Sequence, residues 1–192
     1  SLILGFTFVS SNAFAAVDPE VSYILNTLLF LIGGFLVMWM AAGFAMLESG
    51  LVTSKSVATI AAKNIGLYSI AGLMFWFIGY NLAYGIPEGG FIGTLLPWSD
   101  ASSIETGYSD GSDWFFQMVF CATTCSIVSG TMAERIKIWP FFLFCAILAG
   151  IIYPIEMGWQ WGGGHLAAAG FSDFAGSTLV HSAGGAAALA GA

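Results

Sequence analysis

The sequence has 192 residues, of which 58% are hydrophobic and only 8% are charged. A soluble domain of this size would carry about 25% charged residues, so most of this surface must face lipid or protein. Eleven acidic and four basic residues give a net charge of −7, which excludes a basic groove for nucleic acid. The three cysteines lie in apolar segments without metal-ligand spacing, and we predict neither a disulfide framework nor a zinc site.

The first 16 residues are typical of a signal peptide. Their apolar stretch ends in a small-x-small triplet at 13–15, the pattern of a signal-peptidase site. We predict cleavage near Ala15 or Ala16, so that residues 1–16 are a truncated signal peptide and 17–192 a membrane domain. The basic segment of a signal peptide is missing, as expected if further residues precede this chain. The alternative is a short anchor on the membrane surface.

Five uncharged intervals are each long enough to cross a membrane, which requires about 20 mostly apolar residues. In chain order these intervals are 21–47, 64–87, 114–133, 138–155 and 174–192. We therefore predict an all-α polytopic membrane protein with five transmembrane helices in this chain.

The basic residues predict the orientation of these helices. Lys55 and Lys63 are expected between the first and second spans, and Arg135 and Lys137 between the third and fourth. The opposite loops are acidic. The positive-inside rule places the Lys/Arg loops in the cytoplasm and the mature N-terminus outside, as a cleaved signal peptide would also require. The expected location is the cell (inner) membrane.

His181 is the only ionisable residue in the last apolar interval. For a helix that begins at Asp173, a rise of 1.5 Å per residue puts His181 roughly 12 Å deep, near the middle of a hydrocarbon core about 30 Å thick. Ionisable groups at such depth are costly and usually face a pathway or a partner. We predict a functional role; the alternative is a neutral histidine hydrogen-bonded to a neighbouring helix.

Phe116 and Phe120 are four residues apart on the third predicted span and therefore share one face of the helix. An aromatic plug above a buried histidine would form a gate in a pore. The alternative is that both rings face lipid or the core, since phenylalanine is common in this chain.

The loop before the last span combines two tryptophans with three glycines at 162–164. Trp159 and Trp161 could be ordinary interfacial anchors. Alternatively, a tryptophan followed by three glycines could bring an indole face and backbone carbonyls close to a cation. Asp173 suits a helix N-terminus by capping and dipole, and it could also attract a cation. His165 is expected to be exposed in the outer loop, with no role.

Catalytic motifs are missing from the sequence. It has no P-loop, no HExxH and no GxSxG, and Glu48 has no evident catalytic partner. We predict neither enzyme activity nor a cofactor nor a metal site.

Three segments carry a resemblance to a known family: 43–52 (GFAMLESGLV), 116–136 (Phe-Gln-Met-Val-Phe leading into GTMAERI) and 161–185 (Trp-Gly-Gly-Gly, then DFAGSTLVHSAGG). With these three segments in this order, the sequence resembles the ammonium transporter / methylammonium permease / Rhesus family, and the resemblance extends from about residue 22 to 192.

That resemblance implies a homotrimer of eleven-helix protomers, in which five helices and the next five form an inverted repeat and this chain is the first half. It implies transport of ammonium or ammonia for nitrogen uptake, and a cytoplasmic regulatory partner of the PII type. Trp161 and Phe116 match the outer aromatic site, Phe120 the outer gate, His181 the first pore histidine and Asp173 a structural acid near the site. The second pore histidine, the second gate phenylalanine and the outer-site serine would lie in later helices. His165 departs from the family pattern, which often has an aromatic residue there.

Two alternatives share this fold: a Rhesus-type channel for ammonia or carbon dioxide, and an ammonium sensor that controls a partner through an added cytoplasmic domain. The sequence motifs at 42–50 and 173–181 favour the transporter branch of the family.

Overall fold

Long apolar segments form three helical runs in the computed structural model, which describes residues 17–192. These runs, Pro19–Leu51, Ser54–Tyr84 and Ile138–Ala168, have 33, 31 and 31 residues, and each is long and apolar enough to cross a membrane. The first run is a single helix, α1. Because its side chains are mostly exposed and apolar, α1 presents a surface suited to lipid or to protein. The predicted signal peptide lies outside the described residues.

The second and third runs each change helical register part-way along. In the second, a 3-10 turn (Ser54–Ser56) precedes α2 (Val57–Met74), a π-helical segment (Phe75–Gly79) and α3 (Tyr80–Tyr84).

The third run has the same construction. α5 (Ile138–Ile147) passes through a π-helical segment (Leu148–Ile152) into α6 (Tyr153–Gln160), and the short α7 (His165–Ala168) follows. The two π segments pack against each other. Glycine permits this approach, because a Cβ at Gly79 would lie 3.2 Å from the carbonyl oxygen of Ala149.

α4 (Asp110–Thr131) occupies the centre, packed against α1, α2 and α8 (Leu179–Gly191). A 3-10 turn at Ile104–Thr106 lies in the loop that leads to α4. Gly33 and Gly34 of α1 allow close packing here: Cβ atoms added to them would lie 2.9 Å from the ring of Phe116 and 2.6 Å from that of Phe115.

These observations confirm the all-α prediction, since the described residues contain no β-strand. Five spans remain a prediction, because the 22-residue α4 is less apolar than the other three runs and α8 has only 13 residues.

Two predictions about helix boundaries were wrong. Lys63 is not in a loop but inside α2, because its charge is neutralised within the bundle. The last helix begins at Leu179 and not at Asp173, since Gly176 has a φ of +78°, a left-handed conformation that interrupts a helix. His181 therefore lies in the first turn of α8, and the depth of 12 Å does not hold.

A buried polar cluster joins α1, α2 and α4 at the end opposite the aromatic loops. The Lys63 Nζ is 3.0 Å from Glu48 Oε2 and donates to the Ser129 carbonyl at 2.8 Å. The Ser129 hydroxyl donates to the same Glu48 oxygen at 2.9 Å, and Asn64 makes a longer contact of 3.4 Å. Lys63 is thus a structural partner of Glu48.

The two loops at this end are also tied together. Ser56 Oγ donates to Glu134 Oε1 at 2.7 Å, and Thr53 donates to the same oxygen from its main-chain N–H and its hydroxyl. These bonds lower the pKa of Glu134. Glu134 has a φ of 61°, a conformation rare for a residue other than glycine, and its three accepted bonds help to hold it there.

Candidate functional site

One face of α4 lines a cavity at the end of the bundle away from the lysines. Asp113, Phe116, Gln117 and Phe120 follow the i, i+3, i+4, i+7 pattern of a single helix face. We call this space, of about 510 Å³, the outer cavity. The other residues that line it are Phe30, Tyr80, Tyr84, Tyr108, Trp161 and Phe174.

The rings along this wall are in contact. Phe116 and Phe120 have centroids 5.2 Å apart at an interplanar angle of 87°, and Phe120 meets Trp161 at 5.5 Å and 67°. Phe30 of α1 stacks on Phe116 at 5.4 Å. The structure thus brings together three of the residues that the sequence singled out, Phe116, Phe120 and Trp161.

Asp113 contributes a carboxylate to this aromatic cavity. Asp113 is only 6% exposed. Tyr80 Oη donates to Asp113 Oδ2 at 2.6 Å, and Gln117 Nε2 lies 3.4 Å from Asp113 Oδ1. Burial and the nearby carboxylates of Asp113 and Asp110 raise the pKa of Tyr108, so that phenol stays neutral.

Asp173 organises the start of α8. Its Oδ1 accepts from the main-chain N–H groups of Gly176 and Ser177, at 2.9 and 3.1 Å. Its Oδ2 accepts from Thr178 and Leu179, each at 2.8 Å. Burial raises the pKa of Asp173, but these four N–H donors outweigh burial and hold the pKa below its usual range.

Trp161 is anchored to the same segment, because its Nε1 donates to the main-chain carbonyl of Asp173 at 2.7 Å. That bond occupies the indole N–H and leaves the faces of the ring for packing and for a ligand.

His181 is exposed and is not among the residues that line the outer cavity. Its Nδ1 lies 3.2 Å from the carbonyl oxygen of Gly176. A carbonyl only accepts hydrogen bonds, so this contact requires the proton on Nδ1, and in the neutral ring Nε2 is then an acceptor.

His165 was predicted to be exposed in the loop, and that prediction was wrong. Its ring is partly buried, stacked on Phe91 at 4.2 Å and edge-on to Trp159 at 5.0 Å. The Trp159 indole in turn donates to the Phe91 carbonyl at 2.8 Å. His165 thus fills an aromatic position that joins two loops.

Asp113 and the tyrosines of the cavity were not predicted as site residues from the sequence. Asp113 is three residues before Phe116, so helical periodicity would have placed it on the same face. No comparable signal exists for Tyr80 and Tyr84, because they reach the cavity through the π segment that precedes α3. Within 17–192 no group of three or more His, Cys, Asp and Glu side chains is arranged to hold a metal ion.

The matched family settles the relationship of this chain to known proteins. A sequence model of the Ammonium Transporter Family matches residues 28–192. The chain belongs to this family. It is 41% identical over 177 residues to a putative ammonium transporter of Synechocystis sp., covering 89% of this chain and 39% of that protein. It is 42% identical over 176 residues to the ammonium transporter Amt2 of Archaeoglobus fulgidus, covering 83% of this chain and 36% of that protein.

Solved structures agree with this assignment to the ammonium transporter family. A Sensor Amt Protein superposes with a TM-score of 0.79 at 33% identity, covering 88% of this chain and 43% of that one. Candida albicans Mep2 superposes with a TM-score of 0.76 at 28% identity, covering 91% of this chain and 40% of that one. The chain therefore spans about 40% of the length of its relatives.

Proposed function

We propose that the protein to which this chain contributes transports ammonium or ammonia across the cell membrane, with residues 17–192 as the first half of its transmembrane domain. The observation that carries the proposal is the meeting of Phe116, Phe120 and Trp161 at one cavity, in a chain of the ammonium transporter family. Phe116 and Trp161 form the outer recruitment site, Phe120 the outer gate and His181 the first pore histidine.

The aromatic cavity suits an ammonium ion that is losing its water. An unpaired ion in an apolar passage is prohibitively costly, so part of its hydration must be replaced before it moves on. Aromatic faces attract cations by about 2 kcal/mol or more when desolvated. Because the Trp161 indole is held by the Asp173 carbonyl, its face needs little reorganisation when the ion binds.

Beyond Phe120 the cost of charge is removed by deprotonation to ammonia. Neutral His181 then serves the passing molecule through Nε2, which accepts an N–H while Nδ1 remains bonded to Gly176. The released proton passes to water or to an acceptor in the later helices that are expected to complete the pore, since this chain spans about 40% of the length of its relatives.

Orientation and assembly are part of the same proposal. Lys55, Arg135 and Lys137 face the cytoplasm, the mature N-terminus faces outward, and the protein is a homotrimer with a regulatory PII-type partner. The orientation is supported by the bonding of Glu134 to Thr53 and Ser56, which brings the loops that carry these basic residues to one end of the bundle. The homotrimer and the PII-type partner are proposed from the family resemblance alone.

A second candidate function is ammonium sensing. It is favoured by the similarity to the Sensor Amt Protein, which superposes on this chain with a TM-score of 0.79 at 33% identity. A sensor would bind ammonium in the same outer cavity and pass the signal to a cytoplasmic partner.

The deciding experiment uses the complete protein in proteoliposomes and records current after an ammonium pulse. A saturable current in the wild type that is lost or altered in His181→Ala supports transport with His181 in the path. His165→Phe is the matched control, since it replaces the other histidine but keeps its stacking on Phe91, and it should behave as the wild type.

If the wild type gives no current, the internal pH is followed during the same pulse. Alkalinisation would indicate electroneutral ammonia conduction. No response in either measurement would contradict transport and favour the sensor.

A further inference from the structure

The Asp113 carboxylate is buried without a basic partner. The chain has four basic residues, and the one ion pair among residues 17–192 joins Lys63 to Glu48 at the opposite end of the bundle. Lys55, Arg135 and Lys137 lie at that same end, in and beside the two loops there. The outer cavity therefore contains a carboxylate and no cationic side chain from this chain.

Neutral donors only partly compensate for this burial. Tyr80 donates one strong bond to Oδ2, and the contact from Gln117 to Oδ1 is long. A carboxylate has about four acceptor sites, so acceptor capacity remains. Burial of an ion away from water is costly unless an opposite charge accompanies it.

Gln117 supplies an independent indication of what is missing. Its Nε2 faces the Asp113 carboxylate, which leaves its Oε1 buried and without a hydrogen-bond partner. A buried unpaired amide oxygen is uncommon in folded proteins. The same wall of the cavity thus has a negative charge and a neutral acceptor, both in need of N–H or cationic partners.

We propose that Asp113 is the counter-charge for the cation in the outer cavity, with Gln117 Oε1 as a second acceptor and Tyr80 as the group that orients the carboxylate. The ligand is a small cation with several N–H donors, ammonium or methylammonium. This inference rests on the proposed function and adds to it an ion pair, beside the cation–π contacts of the aromatic wall.

The geometry fits this assignment. Asp113 and Phe116 lie on one face of α4, and the Trp161 and Phe120 rings contact each other on the inner side of the same cavity. An ion paired with Asp113 would lie beside Phe116, which is one turn further along α4. The ring contacts from Phe116 to Phe120 and from Phe120 to Trp161 extend the aromatic wall from there.

The test measures the ammonium dependence of transport by the complete protein in proteoliposomes, for Asp113→Asn and Asp113→Ser. Removal of a charge a few ångströms from the bound ion should raise the half-saturation concentration about tenfold. The response at saturating ammonium should stay within about twofold of the wild type. Gln117→Met should raise half-saturation by a smaller factor, since it removes an acceptor and not a charge.

Asp110→Asn is the matched control, because it removes the same charge one turn away but does not line the cavity. Its half-saturation should stay within about twofold of the wild type. If the half-saturation concentration rises equally in the variants at positions 110 and 113, the effect comes from general surface charge and the proposal is wrong.

Thermal unfolding and gel filtration establish that each variant is folded. If either neutral variant at position 113 is folded and has wild-type half-saturation, the proposal is wrong.

A competition experiment tests which cations the cavity recognises. Potassium chloride is added to the wild type, and inhibition as strong as that by methylammonium chloride would contradict recognition through N–H donors. If the wild type itself does not transport, the failure lies with the proposed function and not with Asp113, and ammonium binding to the purified protein then replaces transport as the measurement.

Discussion

The Trp161 indole and Asp173 are joined by a 2.7 Å hydrogen bond from Nε1 to the main-chain carbonyl. The side chain of the same aspartate accepts from four main-chain N–H groups at and before the start of α8, two residues ahead of His181. One residue therefore positions the indole of the outer cavity and the first turn that carries the histidine. Displacement of this segment should disturb both parts of the site.

Asp173→Ala should lower stability by about 2–4 kcal/mol, because the main-chain N–H groups of the buried residues Gly176 and Leu179 lose their acceptor. Asp173→Asn should cost less, since the amide oxygen still accepts from one pair of donors. Thermal unfolding of the purified protein in detergent measures both. An alanine variant as stable as the wild type would show that water replaces the carboxylate.

The stability contributed by Asp173 should depend on pH in one direction. Its pKa is lowered in the folded protein, so the contribution is fully present above the unfolded value of about 3.9 and is lost as the pH falls through the folded pKa. Comparison of wild type and Asp173→Asn from pH 7 to pH 3 should therefore show a stability difference that is constant near neutrality and narrows below about pH 4. A difference that widens in acid would contradict this assignment.

Trp161→Phe should separate the two roles of the indole. A phenyl ring keeps an aromatic face but cannot donate to the Asp173 carbonyl, and its attraction for a cation is weaker. We expect a rise of about 3- to 10-fold in the ammonium concentration for half-saturation, and Trp161→Leu should exceed it. Dose–response curves of transport are the measurement. Equal effects of Phe and Leu would mean that only the hydrogen bond matters.

Gly33→Val should displace Phe116 from the outer cavity. A Cβ at Gly33 would lie 2.9 Å from the Phe116 ring, so the ring must move. We expect weaker apparent affinity for ammonium in a folded protein. Gly43→Val, on the same helix, is the control, because a Cβ there meets no atom of the described residues within 4 Å. If the two variants have the same affinity, Phe116 does not depend on this contact.

Lys63→Met should destabilise the protein by about 3–5 kcal/mol, since it leaves the Glu48 charge buried without its partner. The double variant with Glu48→Gln should be more stable than Lys63→Met alone, because no unpaired charge remains. Thermal unfolding of wild type, both single variants and the double variant forms a double-mutant cycle. Additive losses would show that the two side chains do not interact.

Much of the fold was predictable because hydropathy and helical period are local properties of a sequence. Apolar length predicted long helices, and the i, i+4 spacing placed Phe116 and Phe120 on one face. The boundaries were less predictable. Glu48 and Lys63 lie inside helices because they neutralise each other across 15 residues of chain, and a rule that treats every charge as a loop marker cannot anticipate this pairing.

The sequence by itself determined the membrane class, the helical face of the phenylalanines and, through its motifs, the family. Only the tertiary structure decided where α8 begins, because this depends on the bonds from Asp173 to residues 176–179. Only it brought Tyr80 to Asp113, 33 positions away, through the register shift of the π segment. Contacts of that kind depend on how helices pack, and packing is a property of several segments at once.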